Sequence, residues 1–397
     1  MTRTTDSPPL PRSPRYRSLD IWRGLACLMV VVYHSTFYLA GNPALWRGGL
    51  FRRGIVFLFT RMWMGVPIFF VISGYCISAT CDGSRRRPAS MARYLQRRLR
   101  RIYPPYLVFM AAACAVFAAM THWNGIRMVS DAAHEILDPR GLSWVQWLGN
   151  LTLTDSWLPL LVGKQRYFMM QAWSLCYEEQ FYAVCGLILL FSPRKFFSSA
   201  LWVSGAVLAV ALLSRFRVLP SFDGAFFDGR WLLFAMGVAL YYSVNYGDRG
   251  TERLLFAALA STALAFLVWG LLVHDIGNDA RQYGIAAAAA AAMLLLHPRD
   301  AALMESRALN PVRFCGEICY SLYLVHWPIC LLLSNALDIA GVVGFWQTLL
   351  VVIPVCAAAS ILGAWLFHHY VERRFLNAPL PAQSRSSTAA LQPAPYA

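Results

Sequence analysis

Charge is what this sequence has least of. Charged residues make up 14% of the chain and hydrophobic residues 58%, whereas a soluble domain carries roughly 25% charged residues. So few charges cannot cover a soluble globule. The short alternating segments of a membrane β-barrel are missing as well. The ten cysteines form no disulfide framework. Cys27, Cys114, Cys185, Cys330 and Cys356 lie inside apolar runs, and Cys315 and Cys319 share a helix face without a second ligand pair. They read as packing thiols, and no metal site is expected. The internal repeat that many secondary transporters carry is not evident. The first apolar run has no small-residue cleavage site and is expected to remain as a spanning helix.

Long apolar runs are present instead. They recur at roughly 19–40, 55–80, 102–121, 172–191, 198–213, 229–246, 254–273, 281–297, 318–336 and 345–369, each near the length needed to cross a bilayer as a helix. The expected fold is therefore all-α: a polytopic transmembrane bundle of about ten spanning helices. Residues 1–18 read as a flexible tail, 19–376 as the membrane domain and 377–397 as a disordered tail. A weakly apolar stretch at 142–153 is too short to span and reads as interfacial or re-entrant.

The formal net charge is +15. On a soluble protein this would suggest nucleic acid. Here the basic residues crowd into alternate connections: Arg12, Arg15 and Arg17; Arg85 to Arg101; Arg194 and Lys195; Arg249 and Arg253; Arg299, Arg307 and Arg313; Arg373 and Arg374. With an even helix count these all fall on one side, so both termini are expected in the cytoplasm. The lipid bilayer is then the expected partner, and a bacterial inner membrane the expected location.

A charged side chain in a spanning helix costs about 2.5–3.5 kcal/mol on insertion scales, so each one needs a partner or a purpose. The first span, LDIWRGLACLMVVVYHSTFYLA, holds Asp20, Arg23 and His34. Asp20 and Arg23 are three apart and can pair on one helix face. Arg23 and His34 are eleven apart, close to three turns and about 16 Å along the axis, so they share a stripe. Histidine titrates near neutrality and suits a general base at the end of a polar passage. A satisfied packing histidine is the plainer alternative.

Other polar residues recur in later spans. The second span carries GVPIFFVISGY at 65–75, where Ser73 and Gly74 permit close helix approach. Before the third span, a loop ending in RYLQRRLRRIYPPY at 93–106 closes a run with eight arginines in seventeen residues, 85–101. That exceeds what topology needs, and Arg98 and Arg101 make a plausible phosphate clamp. The fourth span opens QAWSLCYEEQFYAV, and its Glu178 and Glu179 must point about 100° apart. The ninth carries Tyr320, Tyr323, His326 and Pro328, and Glu372 at the end of the tenth is a candidate companion for His326.

These segments form an ordered series: LDIWRGLACLMVVVYH, GVPIFFVISGY, RRLRRIYPPY, WSLCYEEQFY, RWLLFAMG, YSLYLVHWP and YVERRF. In that order they resemble acyltransferase family 3, integral membrane proteins that acylate sugars and other hydroxyl compounds. The resemblance spans nearly everything between Ser18 and Phe375. It implies a catalytic role for His34, assisted by Glu178, and acyl-donor binding by Arg23, Arg98 and Arg101. It leaves Asp20, Ser73, Arg230, Tyr323, His326 and Glu372 as acceptor-binding or structural polar positions. Ile21 and Trp22 depart from the commoner leucine-aspartate-glycine-leucine-arginine-glycine form without removing a reactive group. No place is expected for the extracytoplasmic hydrolase-like domain that some members carry.

The resemblance further implies an acyl-coenzyme A donor, with acetyl-CoA the default, no metal, and a hydroxyl acceptor such as a carbohydrate. His34 would take a proton from the acceptor or first carry the acyl group itself. Two other classes are compatible with a polar path through a bundle. One is a flippase for a lipid-linked sugar, with His34 as proton relay. The other is a scaffold in a polysaccharide assembly complex.

Overall fold

The structure is a computed structural model, and it describes residues 16–40, 48–85, 91–124, 139–157, 167–219, 226–272 and 278–376. Residues 1–15 and 377–397 of the expected tails, and the connection residues Arg127, Lys164 and Arg166, lie outside the described residues. The last residues of the expected N-terminal tail are packed instead: Tyr16 and Ser18 are buried, and the Tyr16 hydroxyl donates to the Met293 carbonyl (2.8 Å). Among the described residues the chain is helical, and no strand occurs. In chain order the helices are α1 (Leu19–Ala40), α2 (Leu50–Phe59), α3 (Gly65–Arg85), α4 (Met91–Asn124), α5 (Trp144–Thr152), α6 (Ala172–Phe191), α7 (Phe196–Arg215) and α8 (Trp231–Tyr246). They continue with α9 (Arg249–Leu272), α10 (Asn278–Leu296), α11 (Asp300–Glu305), α12 (Asn310–Glu317), α13 (Cys319–Ile339) and α14 (Ile353–Tyr370).

Seven described segments are long and apolar enough to cross a membrane: Leu50–Arg85, Tyr94–Met120, Ala172–Phe191, Pro193–Arg215, Arg249–Gly270, Cys319–Ile339 and Phe345–Arg374. The difference from the expected ten lies in α1, α8 and α10. Helix α1 has 22 residues, long enough to cross a bilayer, and carries Asp20, Arg23 and His34. Helix α8 has only 16 residues, and α10 opens on the polar sequence NDARQ. Exposed apolar side chains such as Phe191, Leu201, Trp202 and Leu254 clothe the outside of the bundle, which suits contact with lipid.

The arginine-rich stretch expected as a loop is helical. Helix α4 begins at Met91 and carries Arg97, Arg98, Arg100 and Arg101 on its early turns. Tyr94 and Ile102 are buried on its inner side while Arg97, Leu99 and Arg100 face out. That helical periodicity is why the charges do not end the helix. Pro104 and Pro105 follow within it and withhold two backbone donors from the turn that bears the arginines.

The stretch expected as interfacial or re-entrant folds back along α4. Tyr106 donates from its hydroxyl to the carbonyl of Asn150 (2.8 Å), and Tyr103 to that of Thr152 (2.8 Å). Tyr106 stands about 27 Å along the axis from the far end of α4, where the connection begins. Helix α5 therefore returns deep alongside the helix that precedes it, which is the re-entrant alternative. Ser143 and Gln146 cap it with reciprocal hydrogen bonds.

Two backbone crossings set the bundle. Helix α3 meets α8 at Gly74 and Gly237, where an added Cβ would fall 2.0 Å from the Phe234 carbonyl oxygen and 1.9 Å from that of Val71. Helix α1 meets α12 at Gly24 and Gly316, where it would fall 1.8 Å from the Val312 oxygen and 1.7 Å from the Asp20 oxygen. Small residues let helix backbones touch where lipid gives little hydrophobic drive. Around the first crossing, Phe181 stacks on Phe234 with centroids 4.6 Å apart and meets Phe70 edge-on. Below it, the buried Asp82 carboxylate takes Arg85 (2.7 Å), Tyr241 (2.9 Å) and Tyr246 (2.6 Å). A buried carboxylate with an ion pair and two hydroxyls is satisfied, so this cluster ties α3 to α8.

Gly237→Ala should therefore destabilise the protein by about 1–3 kcal/mol through overpacking. Gly205→Ala, with nothing within 4 Å of the new carbon, should leave the melting temperature in detergent unchanged. Equal effects would contradict the crossing.

Candidate active site

The polar faces of α1, α3, α4, α6 and α13 turn toward one cavity of about 810 Å³. Asp20, Arg23, His34, Ser73, Arg98, Arg101, Glu178, Tyr323, His326 and Glu372 all border it. Ten of the eleven candidate residues thus share one space, although the sequence between Asp20 and Glu372 separates them widely. The exception is Arg230. Its guanidinium pairs with Asp228 (3.2 Å) and stacks over the rings of Trp173 (4.9 Å) and Tyr177 (4.6 Å). Trp173 does border the cavity, so Arg230 supports a wall of it.

Helix α1 supplies the first polar stripe. Arg23 pairs with Asp20 at 2.7 Å, as the three-residue spacing predicts, and its second nitrogen reaches the Cys76 sulfur at 3.0 Å. Three turns on, the half-buried His34 lies with its ring centroid 5.2 Å from that of His326. Helix α4 supplies the second group. Arg98 is partly buried, donates to the Thr80 hydroxyl (3.1 Å) and the Tyr182 hydroxyl (3.5 Å), and lies over the Tyr182 ring (4.8 Å). Arg101 is exposed at the rim.

Glu178 completes a chain of polar contacts from Arg98. Ser73 donates to its carboxylate at 2.7 Å, and Tyr182, one turn along α6, donates to the same oxygen. Glu179 points elsewhere, as the 100° step requires. One of its carboxylate oxygens is buried without a hydrogen-bond partner among the described residues.

The start of α6 is held by α13. Pro328 interrupts α13 and has no N–H to offer the Leu324 carbonyl four residues back. The side-chain amide of Gln171 donates to that carbonyl instead (2.9 Å). Tyr323 donates to the Gln171 carbonyl and also meets the Ser174 hydroxyl at 3.0 Å. Tyr320 donates to the Ile102 carbonyl (2.8 Å), which ties α13 to α4.

The pairing of His326 with Glu372 does not occur. The Glu372 carboxylate takes the Ser321 hydroxyl at 2.5 Å and His368 at 2.8 Å. His368 stands one turn before Glu372 on the same segment, so it reaches the carboxylate first. His326 bonds through Nδ1 to the Leu322 carbonyl (2.9 Å). Tyr182, Thr80, Cys76, Ser174 and Gln171 also border the cavity and were not singled out from sequence. Tyr182 had a signal, since it stands four residues after Glu178 on one helix face. Cys76 and Thr80 had none. Among the described residues, no group of three or more His, Cys, Asp or Glu is arranged to hold a metal ion.

Residues 16–369 match the acyltransferase domain that defines acyltransferase family 3. The chain belongs to that family. It is 25% identical to the peptidoglycan O-acetyltransferase OatA of Listeria monocytogenes, over 89% of this chain and 55% of the relative. It is 26% identical to the putative membrane-bound transacylase BcsY of Komagataeibacter xylinus, over 94% of this chain and 87% of that one. The putative peptidoglycan O-acetyltransferase YrhL of Bacillus subtilis matches at 25%, over 89% and 54%. The chain thus spans about half the length of the two O-acetyltransferases and most of the transacylase. No solved structure matches it. The family match covers every cavity-lining residue except Glu372.

Replacing Glu372 with Ala leaves Ser321 and His368 without their shared acceptor in a buried place. This should lower stability by about 1–3 kcal/mol, read as a fall in thermal midpoint. A wild-type midpoint would remove Glu372 from the structural role.

Proposed function

We propose that this chain is a membrane O-acyltransferase that moves an acyl group, acetyl by default, from a coenzyme A thioester to a hydroxyl of a carbohydrate. The observation that carries the reading is that one cavity holds arginines at one end and a pair of imidazoles at the other. Arg98, Arg101 and Arg23 meet the anionic phosphates of the donor, since guanidinium binds phosphate through paired hydrogen bonds. The donor's arm then follows the stripe of α1 from Arg23 toward His34, about 16 Å along the helix.

At the deep end, His34 supplies the imidazole at which transfer takes place, as the base that takes the acceptor's proton or as the group that briefly holds the acyl. Glu178 acts from the donor side through Tyr182 and Ser73, and it holds the hydroxyl beside Arg98 in a fixed orientation. The relatives named as O-acetyltransferases support the acetyl group, and those named for peptidoglycan support a surface glycan as acceptor. The crowding of arginine and lysine onto alternate connections supports a bacterial cytoplasmic membrane with both termini inside. On that orientation the arginine end of the cavity opens to the cytoplasm, where acyl-coenzyme A is made.

His34→Ala should abolish acetyl transfer from labelled acetyl-CoA to surface glycan while membrane levels stay normal. Full activity in that variant would refute the assignment. Arg98→Ala and Arg101→Ala should raise the donor KM by about 10-fold or more each, as loss of a charge-assisted contact predicts. An unchanged donor KM would count against the clamp. A flippase or scaffold would instead move or assemble glycan without consuming acetyl-CoA, so release of free coenzyme A by purified protein separates the classes.

A further inference from the structure

His326 carries more information than a packing histidine would. Its side chain is 2% exposed, it borders the cavity, and its ring lies 5.2 Å from that of His34. Its Nδ1 sits 2.9 Å from the Leu322 carbonyl oxygen. A carbonyl can only accept, so Nδ1 bears the proton and the ring is held in one tautomer. Nε2 is then a lone pair, and it is buried with no hydrogen-bond partner among the described residues. A buried acceptor left empty costs free energy unless a ligand fills it. The group that fits a lone pair beside His34 at the end of an acyl-transfer cavity is a hydroxyl donor.

We propose that His326 binds the acceptor hydroxyl through Nε2 and takes its proton, and that His34 passes a proton on to the departing thiol. This rests on the acyl-transfer reading above but replaces the two roles given there for His34: His326 is the base toward the acceptor, and His34 relays the proton to the leaving sulfur. The acceptor oxygen forms its bond to the thioester carbon as the O–H proton moves to Nε2 of His326. The carbon–sulfur bond breaks, and its electron pair leaves on sulfur. The proton gained by His326 is handed to the adjacent His34, and His34 gives a proton to the thiolate. The products are the ester and free coenzyme A, both histidines return to their neutral state, and no oxidant or further reactant is needed. The Leu322 carbonyl keeps His326 from offering the wrong nitrogen. Tyr323, 6.3 Å away between ring centroids, packs beside it.

The test uses the full chain in lipid nanodiscs with labelled acetyl-CoA and glycan extracted from cells that lack the gene. His326→Asn keeps a donor where Nδ1 stood and so can still bond Leu322, but it has no Nε2. His326→Gln can accept a hydrogen bond but cannot hold the proton. Both should transfer acetyl at least about 100-fold more slowly, the scale of a lost general base. In both, the acetyl-CoA KM should stay within about two-fold of wild type and the thermal midpoint should be unchanged. Imidazole added to His326→Ala should restore part of the rate, which a purely structural role would not allow. Activity of His326→Asn near wild type would overturn the proposal. So would loss of activity in all three variants together with a collapsed midpoint and no rescue. If wild-type protein transfers no acetyl to any glycan fraction, the reading of the function fails first, and the role of His326 falls with it.

Discussion

Arg23 belongs to a helix whose other side chains are mostly apolar, and a guanidinium there must be matched or expelled. It is matched at once by Asp20 on the same face and by the Cys76 sulfur on α3. The same requirement recurs for every polar group in the bundle. Arg98 takes hydroxyls from α3 and α6, Glu178 takes Ser73 and Tyr182, and Glu372 takes Ser321 and His368. In a medium without water, each of these groups finds its partner on another helix or one turn away. The cavity is what remains when those polar faces have turned inward together, and the apolar faces have turned out to lipid.

Close backbone contact makes that arrangement possible. Glycines at 74 and 237 bring α3 against α8, and those at 24 and 316 bring α1 against α12. Ser73 and Cys76 stand beside the first crossing, while Asp20 and Arg23 stand beside the second. The polar residues of α1 and α3 are therefore placed by contacts that tolerate almost no extra atom. The buried Asp82 cluster holds the α3 and α8 pair at its other end.

Much of this was legible in the sequence where helical periodicity governs. The pairing of Asp20 with Arg23, the shared stripe of Arg23 and His34, and the divergence of Glu178 from Glu179 all follow from 3.6 residues per turn. The arginine stretch before the third span, expected as loop, is helical. Tyr94, Arg98 and Ile102 recur at helical spacing. What sequence could not show is contact between distant segments. Nothing near His34 indicates that His326 lies against it. Glu372 meets His368, four residues before it on the same segment, rather than the expected His326. Arg230 was grouped with the site by its motif, and it lies over the ring of Trp173, which borders the cavity.

The bond that Pro328 leaves unmade has a further effect. Because Gln171 occupies the vacant Leu324 carbonyl, the depth at which α6 begins is pinned to a fixed point on α13. Glu178 stands seven residues beyond Gln171, about 10 Å further along the helix, and there it comes level with Tyr182 and Arg98. One imino acid in the ninth expected span thus acts as a ruler, setting how far below the two imidazoles the carboxylate lies.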